Sequence, residues 1–420
     1  MGLSERTGPV GASERYLILD VLRGIALLGI CLANFPEFAL YTFLKEGVTE
    51  AMPSAGMDRV VKYLQYIFID GKFYSLFSLL FGMGFTIILS NLLKKGVNGY
   101  RIFYRRMVLL AVIGFLHLML LWSGDILLLY ALIGMLLPLF VKMSNRKLIL
   151  LAVALLFVPV VLDTLKVLFC FDPAVPVIEA TQYFNRKSGI TDENFATWLR
   201  DGESYSDVLK FTLSGAFIRC REFIDGNRVF KVLALFLLGL YAGRKRIYAN
   251  PENHRALLEK IRLYGFLVGL PVSCFYAWSA LNENPLGLVG RSAAYALSVV
   301  PMSLAYVSSV CLWYVKNRER TFFRLMAAPG RMALTNYIGQ SAFGMVIFYG
   351  IGFGLGATMG LADVEMVALC VFFFQVAGSC LWLNFFRFGP LEWLWRVLTY
   401  GKRLRIINGD GFKRNIQKIK

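Results

Sequence analysis

The sequence predicts an all-helical, polytopic membrane protein with about ten transmembrane helices and both termini in the cytoplasm. The first observation is composition: 57% of the 420 residues are hydrophobic and only 17% are charged, whereas a soluble chain carries about a quarter charged residues. The second is a series of apolar runs that approach the roughly 20 residues needed to cross a bilayer core. The third is an uneven distribution of Lys and Arg along the chain.

Ten apolar runs predict the membrane-spanning helices, each with boundaries that are accurate to a few residues. They lie near 17–35, 68–92, 107–122, 126–141, 148–169, 229–243, 262–280, 292–315, 332–357 and 365–386. Residues 207–224 mix apolar and charged side chains and predict an interfacial helix rather than a span.

The charge distribution predicts the orientation of these helices. The chain carries a formal net charge of +18, and cytoplasmic loops of membrane proteins are enriched in Lys and Arg. With the N-terminus inside, the inner segments hold 31 of the 45 Lys and Arg and 8 of the 27 acidic residues. Topology therefore accounts for the basic surplus, and a nucleic-acid partner is not expected.

The order of these segments divides the chain into four parts. They are the N-terminal transmembrane helices (1–165), an extracytoplasmic segment (166–228), a C-terminal transmembrane domain (229–400) and a basic cytoplasmic tail (401–420). The extracytoplasmic segment is either a solvated cap or a lid over a substrate entrance. The seven cysteines contain no CxxC pair and indicate no metal site.

Ionisable residues inside a span are candidate site residues, because charge within a bilayer is costly. Asp20 and Arg23 open the first span three residues apart, so they share a helix face and form either a structural ion pair or part of a site. Asn34 lies at the far end of the same span. Asp70 and Lys72 open the second span, where Asp70 is either a helix cap or a ligand-binding group.

The third cluster contains His117, the one histidine of the predicted spans. Asp125 follows eight residues later, across a Trp-Ser-Gly break, and a chain that turns back there would bring the carboxylate to the imidazole. Such a pair suits a general base, because the carboxylate holds the tautomer and raises the basicity of the ring. Arg105 and Arg106 precede the same span at its inner end.

The fourth cluster follows Arg331 in the ninth span. Asn336 and Gln340, and likewise Tyr337 and Ser341, are spaced by four residues and form polar stripes on the helix. Such stripes either hold helices together by hydrogen bonds or line a wet cavity.

These motifs resemble the YeiB-like bacterial membrane proteins, over nearly the whole chain and in the same order. The resemblance rests on Asp20-x-x-Arg23-Gly24 with Asn34, Asp70-Gly71-Lys72-Phe73, Gly124-Asp125-Ile126-Leu127, Gly330-Arg331-Met-Ala-Leu-Thr335-Asn336-Tyr337 and Phe388-Gly389-Pro390-Leu391-Glu392-Trp393-Leu394-Trp395-Arg396. It implies a multi-pass protein of the bacterial cytoplasmic (inner) membrane.

Through the first-span motif the family is similar to the transmembrane acyltransferases, among them heparan-alpha-glucosaminide N-acetyltransferase. That enzyme's proposed catalytic histidine follows the first-span asparagine by about a dozen residues. Here residues 35–50 contain no histidine, and Lys45 lies nearest in spacing. The resemblance therefore carries over Asp20, Arg23 and Asn34, while the base is expected to be His117 with Asp125.

The expected function is transfer of an acyl group, such as acetyl, from cytosolic acyl-CoA to an extracytoplasmic or lipid-linked saccharide or another small acceptor. Acyl-CoA would be a substrate, and no permanently bound cofactor or metal is expected. The CoA phosphates need cations at the cytosolic side, and the candidates there are Arg23, Arg105, Arg106 and Arg331, with Arg396 and Lys402 nearby. Asn34, Asn336 or Tyr337 would stabilise the oxyanion. The alternative is a transporter or flippase for a small polar or amphiphilic molecule, and a homodimer is left open.

Overall fold

The computed structural model describes residues 16–94, 96 and 98–408, and these residues fold almost entirely into helices. The described residues contain no strand, only an isolated antiparallel bridge between Phe386 and Ile407. The α-helices are α1 (Leu17–Phe38), α2 (Glu46–Glu50), α3 (Ala55–Leu64), α4 (Lys72–Lys94), α5 (Gly99–Leu120), α6 (Leu127–Gly134), α7 (Asn145–Phe169), α8 (Val175–Ser188), α9 (Trp198–Asp201), α10 (Tyr205–Asp225), α11 (Arg228–Arg244), α12 (Arg255–Ala280), α13 (Gly287–Lys316), α14 (Thr321–Arg331), α15 (Ala333–Phe348), α16 (Leu361–Phe385) and α17 (Pro390–Tyr400).

Seven helical segments within these residues are long and apolar enough to cross a membrane. They are α1, the continuous stretch Ala55–Lys94 that contains α3 and α4, and α5, α7, α12, α13 and α16. The predicted all-helical class is therefore confirmed, and the seven apolar segments agree with a protein that crosses a membrane several times. An apolar exterior agrees with it, because large side chains such as Leu168, Phe353 and Phe374 are mostly exposed.

Three of the ten predicted spans are not among these seven segments, because their helices are too short to cross a membrane on their own. In the fourth span α6 has 8 residues and is followed by a 3₁₀ turn that contains Pro138, whose ring cannot continue the hydrogen-bonding pattern of an α-helix. In the ninth span α15 ends at Phe348, because Tyr349 is extended and the chain then folds back so that the N–H of Phe353 bonds to the carbonyl of Val346. The sixth span, α11, has 17 residues.

The segments that the predicted topology places on one side of the membrane contact one another. We call one end of the bundle the basic end; it contains the starts of α1 and α5, the ends of α11 and α14, and α17. There the start of α1 lies against the end of α14, since a Cβ atom at Gly330 would lie 1.8 Å from the carbonyl oxygen of Asp20. The start of α5 contacts α17 there, since the indole N–H of Trp395 donates to the carbonyl of Arg106 at 3.1 Å. Arg244, at the end of α11, donates to the carbonyl of Met143 at 2.6 Å.

The remaining helix ends meet at what we call the opposite end. The N–H of Gly350 donates to the carbonyl of Leu199 at 2.8 Å, and the N–H of Ala357 donates to that of Ala39 at 2.8 Å. The predicted interfacial helix is α10, which packs across the end of α5. Its Thr212 hydroxyl donates to the carbonyl of Met119 at 2.8 Å. This end of the bundle is therefore covered by the segment between α7 and α11.

Candidate functional site

Three buried side chains form a hydrogen-bonded chain between α5, α6 and α15. The Nδ1 atom of His117 lies 2.8 Å from a carboxylate oxygen of Asp125. On the other side of the ring, Nε2 lies 2.8 Å from the hydroxyl oxygen of Ser341. All three residues are no more than 2% exposed. We call this set the Asp125–His117–Ser341 relay.

The chain reversal after α5 explains how Asp125 reaches His117. The N–H groups of Leu121 and Trp122 both bond to the carbonyl of His117, which ends α5 in a tight turn. The second carboxylate oxygen of Asp125 accepts the N–H of Leu128 at 2.8 Å and so holds the start of α6. Gly114 lets the two helices approach, since a Cβ there would lie 2.4 Å from the nitrogen of Leu128. Local structure thus fixes the carboxylate beside the ring.

The hydrogen bonds of the relay fit one tautomer of His117. An ionised carboxylate only accepts hydrogen bonds, so an ionised Asp125 pairs with an Nδ1–H donor. In that tautomer a neutral ring presents the lone pair of Nε2 to the hydroxyl of Ser341. A histidine in this tautomer, oriented by a carboxylate and facing a hydroxyl, is arranged to take the hydroxyl proton as a general base.

Aromatic side chains surround the ring and exclude water from it. The centroid of the His117 ring lies 5.3 Å from that of Tyr337 and 6.2 Å from that of Trp122. Trp122 packs in turn on Phe38 at 4.5 Å, and its indole N–H donates to the Glu37 carboxylate at 3.0 Å. His117 therefore lies between Tyr337 on one side and the Trp122 cluster of the opposite end on the other.

A cavity of about 290 Å³ extends from the basic end to Tyr337. Apolar side chains of α1, α4, α5 and α6 form most of its wall, and polar side chains are concentrated at the basic end. Its lining includes Tyr16, Leu19, Asp20, Arg23, Ile30, Phe77, Leu80, Phe81, Gly84, Phe85, Phe103, Arg106, Met107, Leu110, Ile126, Leu127, Tyr130, Arg331, Leu334, Tyr337, Glu392, Trp395, Arg396 and Tyr400.

The polar part of this lining, which we call the mouth, contains most of the predicted cationic site residues. The four arginines that line the cavity are Arg23, Arg106, Arg331 and Arg396. Arg23 donates to Asp20 at 2.8 Å, so the predicted ion pair is present. The guanidinium of Arg106 stacks on Trp395, 3.7 Å from the ring centroid. A cationic mouth of this kind, followed by an apolar channel, fits an anionic headgroup that carries an apolar arm.

Other predicted site residues lie away from this cavity. Arg105 is exposed and its guanidinium lies against Gly401. Asn34 lies in the last turns of α1 and is not among the described residues that line the cavity. Asn336 faces α16, where its amide donates to the hydroxyl of Ser379 at 2.9 Å. Of the two predicted stripes, the one with Asn336 and Gln340 therefore joins helices, while the one with Tyr337 and Ser341 faces His117.

The predicted pair at the start of α4 forms a separate polar cluster. The backbone breaks at Asp70-Gly71, where Gly71 has a φ of 75°. Asp70 accepts a hydrogen bond from the hydroxyl of Tyr276 at 3.2 Å. Lys72 is fully buried and its ammonium donates to the carbonyl of Tyr66 at 2.7 Å. These contacts tie the break in the helix to α12, and neither residue lines the cavity in the described part of the chain.

Sequence reasoning did not assign roles to Ser341 or Glu392. Ser341 lies 224 positions from His117, and the spacing-by-four stripe was the one signal that pointed to it. The carboxylate of Glu392 accepts the N–H groups of Leu334 and Thr335 at 2.7 and 3.1 Å, and the Thr335 hydroxyl at 2.6 Å. It caps the start of α15 from another helix, which no local sequence pattern shows.

In the described residues no group of three His, Cys, Asp or Glu side chains is arranged to hold a metal ion.

Comparison with known proteins places this site in a family. Residues 242–402 match the family model described as "Protein of unknown function (DUF418)". The chain is 31% identical to the uncharacterized protein YxaH of Bacillus subtilis (strain 168) over 403 residues, which cover 93% of this chain and 96% of the relative. It is 28% identical to the uncharacterized protein YeiB of Escherichia coli (strain K12) over 92% of this chain and 96% of the relative.

A third relative, an uncharacterized 39.9 kDa protein encoded in the amylase 3′ region of Bacillus acidopullulyticus, is 27% identical over 95% of this chain and 98% of its own length. No solved structure matches the chain. The matches to the named relatives run over almost the full length of both partners. The chain belongs to the YeiB-like family.

Proposed function

We propose that this protein is a membrane-embedded acyltransferase that moves an acyl group from cytosolic acyl-CoA to an acceptor on the other side of the membrane. The observation that carries the proposal is the continuity of the cavity: it begins among four arginines and ends at Tyr337, which packs on His117. Acyl-CoA has the matching order of groups, with charged phosphates for the arginines and a long arm that carries the thioester into the apolar part of the cavity. A small saccharide, free or lipid-linked, is the acceptor that the resemblance favours.

The proposed topology has ten membrane passes in the inner membrane of a bacterium, with both termini and the mouth in the cytoplasm. Two independent observations support it. The Lys and Arg bias favours this orientation. The contacts within each end of the bundle join segments that the ten-pass topology assigns to the same side. In this topology the shorter helices α6, α11 and α15 cross the membrane in one of two ways. Each crosses either together with the turn that follows it or as an inner helix enclosed by the longer ones.

The residues of the mouth would bind the donor. Arg23, Arg106, Arg331 and Arg396 provide charge-assisted hydrogen bonds to phosphate oxygens, which are about twice as strong as neutral ones. The apolar wall formed by α4 and α5 would enclose the pantetheine arm and keep water from the thioester. A cytosolic donor thereby delivers its carbonyl deep in the bundle without crossing the membrane itself.

The relay would perform the proton transfers. His117 takes a proton from the attacking hydroxyl or amine and gives it to the departing thiolate, while Asp125 keeps the ring in the required tautomer. Tyr337 reaches the cavity and the ring alike and is our candidate donor to the oxyanion. Ionisable side chains buried within a membrane-protein bundle are costly, and the burial of His117 and Asp125 favours a functional role.

The first experiment separates an enzyme from a transporter. Purified protein is given acetyl-CoA and a set of saccharide acceptors, and free CoA thiol is measured with a colorimetric reagent. We expect thiol release that falls about 10²–10⁴-fold in His117→Ala. Binding of acetyl-CoA without any thiol release would contradict the acyltransferase and favour the transporter.

The second experiment tests the cavity itself. Gly84 lines the cavity, and a Cβ atom there meets no atom within 4 Å, so the first side-chain atom of Gly84→Leu is accommodated and the rest of the side chain narrows the channel. Gly378 on α16 is equally open but lies outside the lining, and Gly378→Leu is the matched control. We expect the first variant alone to raise the KM for acyl-CoA. Equal kinetics in the two variants would place the donor elsewhere.

A further inference from the structure

We infer that Ser341 is the nucleophile of a two-step reaction in which the acyl group rests on the serine between donor and acceptor. This inference rests on the proposed acyltransferase function and adds a covalent acyl-enzyme to it. Direct transfer would need donor and acceptor together at His117, whereas an acyl-serine lets them be used in turn.

The first argument is the hydrogen bond that the Ser341 hydroxyl makes. Serines within helices commonly bond back to the carbonyl four residues earlier, and Ser75, Ser303 and Ser309 of this protein do so at 2.7–2.8 Å. The hydroxyl of Ser341 has a different partner, because its oxygen lies 2.8 Å from Nε2 of His117. A hydroxyl that faces the basic nitrogen of a carboxylate-oriented histidine is the arrangement of an activated nucleophile.

The second argument is the position of Ser341 along α15. Leu334 and Tyr337 of the same helix line the cavity, and Ser341 follows Tyr337 by one helical turn, about 6 Å along the axis. The cavity therefore reaches the turn of α15 that precedes the serine. Trp122, in the turn that ends α5, packs near the same ring, with the centroids 6.2 Å apart. Ser341 therefore lies one turn beyond the cavity, against the histidine that this turn holds.

The third argument is that the relay is complete within the protein. A general base that acts directly on an acceptor needs a free lone pair for that acceptor, but Nε2 of His117 already faces the serine and Nδ1 faces Asp125. An acceptor would have to displace Ser341 in order to be deprotonated. Attack by Ser341 itself needs no such rearrangement.

The reaction balances in two steps. In the first, the Ser341 oxygen bonds to the thioester carbonyl carbon, its proton passes to Nε2 of His117, the carbon–sulfur bond breaks, and the proton goes to the leaving thiolate, so that free CoA and an acyl-serine ester result. In the second, His117 takes a proton from the acceptor hydroxyl or amine, the acceptor oxygen or nitrogen bonds to the ester carbonyl carbon, the carbon–oxygen bond to Ser341 breaks, and the proton passes from His117 to the serine oxygen. No oxidant, reductant or metal is needed.

The test follows the acyl group on the protein. Full-length protein in detergent is mixed with acyl-labelled acetyl-CoA in the absence of acceptor. Samples are quenched in acid at a series of times that begins at the mixing dead time. Each sample is analysed by intact mass and by mapping of the peptide that contains α15. We expect a burst of free CoA, up to one per protein, and a label on Ser341. The bond should resist neutral hydroxylamine and break under alkaline conditions, as an oxygen ester does.

Three variants locate the label. Ser341→Ala should lose both the burst and the label, and Ser341→Cys should regain a label that neutral hydroxylamine removes, because the ester is then a thioester. Ser308→Ala removes a buried serine of α13 outside the cavity lining and is the control; it should behave as the wild type does. A serine that only positions His117 would lower the rate when it is replaced, but it would not acquire a label.

The outcomes separate the inference from the function on which it rests. Thioester cleavage that leaves no label on Ser341 at any time, or a label that persists in Ser341→Ala, overturns the acyl-serine and leaves the acyltransferase standing as a direct-transfer enzyme. Absence of thiol release from the wild type with every acyl-CoA offered overturns the acyltransferase and the acyl-serine together.

Discussion

Replacement of Asp125 by Asn tests the protonation state of the relay most directly. The carboxylate makes two hydrogen bonds at 2.8 Å, one from the Nδ1–H of His117 and one from the N–H of Leu128, and both need an acceptor. An amide has one oxygen and one NH₂ group, so it satisfies only one of the two donors. In Asp125→Asn, therefore, either His117 or the N–H of Leu128 loses its hydrogen-bond acceptor, whereas the native carboxylate accepts from both.

Each choice has a calculable consequence. If the amide oxygen stays on Leu128, the NH₂ group faces Nδ1 and the ring must carry its proton on Nε2, where it no longer accepts the proton of Ser341. Such a tautomer change lowers turnover by about 10⁴-fold in a serine-histidine-aspartate enzyme. If the oxygen turns to His117, the N–H of Leu128 is left without an acceptor, at a cost of about 1–3 kcal/mol in stability.

The assay measures both quantities on the same preparation. Thiol release from acetyl-CoA reports turnover, and the midpoint of thermal unfolding in detergent reports stability. The control is Asp163→Asn, since Asp163 is an equally buried carboxylate that bonds to Asn227 at 3.1 Å, outside the cavity lining. An Asp125→Asn protein with native turnover and a native midpoint would refute the reasoning from hydrogen-bond geometry.

Three further predictions concern the mouth and the helix contacts. Arg106→Ala should raise the KM for acyl-CoA about 10- to 100-fold, the worth of one lost charged hydrogen bond, while the exposed Arg105→Ala should not; equal kinetics would remove Arg106 from the donor site. Glu392→Ala should lower stability by about 1–3 kcal/mol because two backbone N–H groups of α15 lose their acceptor, and an unchanged unfolding midpoint would contradict this cap. Gly330→Ala should destabilise the protein by ~1–3 kcal/mol, because the added methyl group overpacks the contact with α1. The unfolding midpoint of this variant is compared with that of Gly378→Ala, whose added methyl group meets no atom. Equal midpoints in the two variants would refute the contact.

Sequence was most informative where the determinants are local. The eight-residue spacing of His117 and Asp125 across a Gly-containing break made a contact between them feasible but did not establish it, and in the structure the two side chains lie 2.8 Å apart. The reason is that a tight turn at the end of one helix leaves few ways for the chain to return. Composition was likewise sufficient for the all-helical class, because in a bilayer the backbone of each span must satisfy its own hydrogen bonds.

The remaining features depend on contacts between distant segments. The two stripes of α15 looked equivalent in sequence, and only the packing of α16 against Asn336 shows which of them faces the relay. Arg105 and Arg106 are neighbours in sequence, yet only Arg106 reaches the cavity, because α17 supplies Trp395 as a platform. Helix lengths were overestimated at α15, where the chain stays apolar after it has stopped being helical.

The short helix α6 has a consequence for the surroundings of the Asp125 carboxylate. The helix begins at Leu127, two residues after Asp125, whose carboxylate accepts the N–H of Leu128. The start of a helix carries a partial positive charge of about half an elementary unit. Peptide dipoles therefore face this carboxylate, and they remain when side chains are replaced. Because the field belongs to the backbone, no single side-chain substitution removes it.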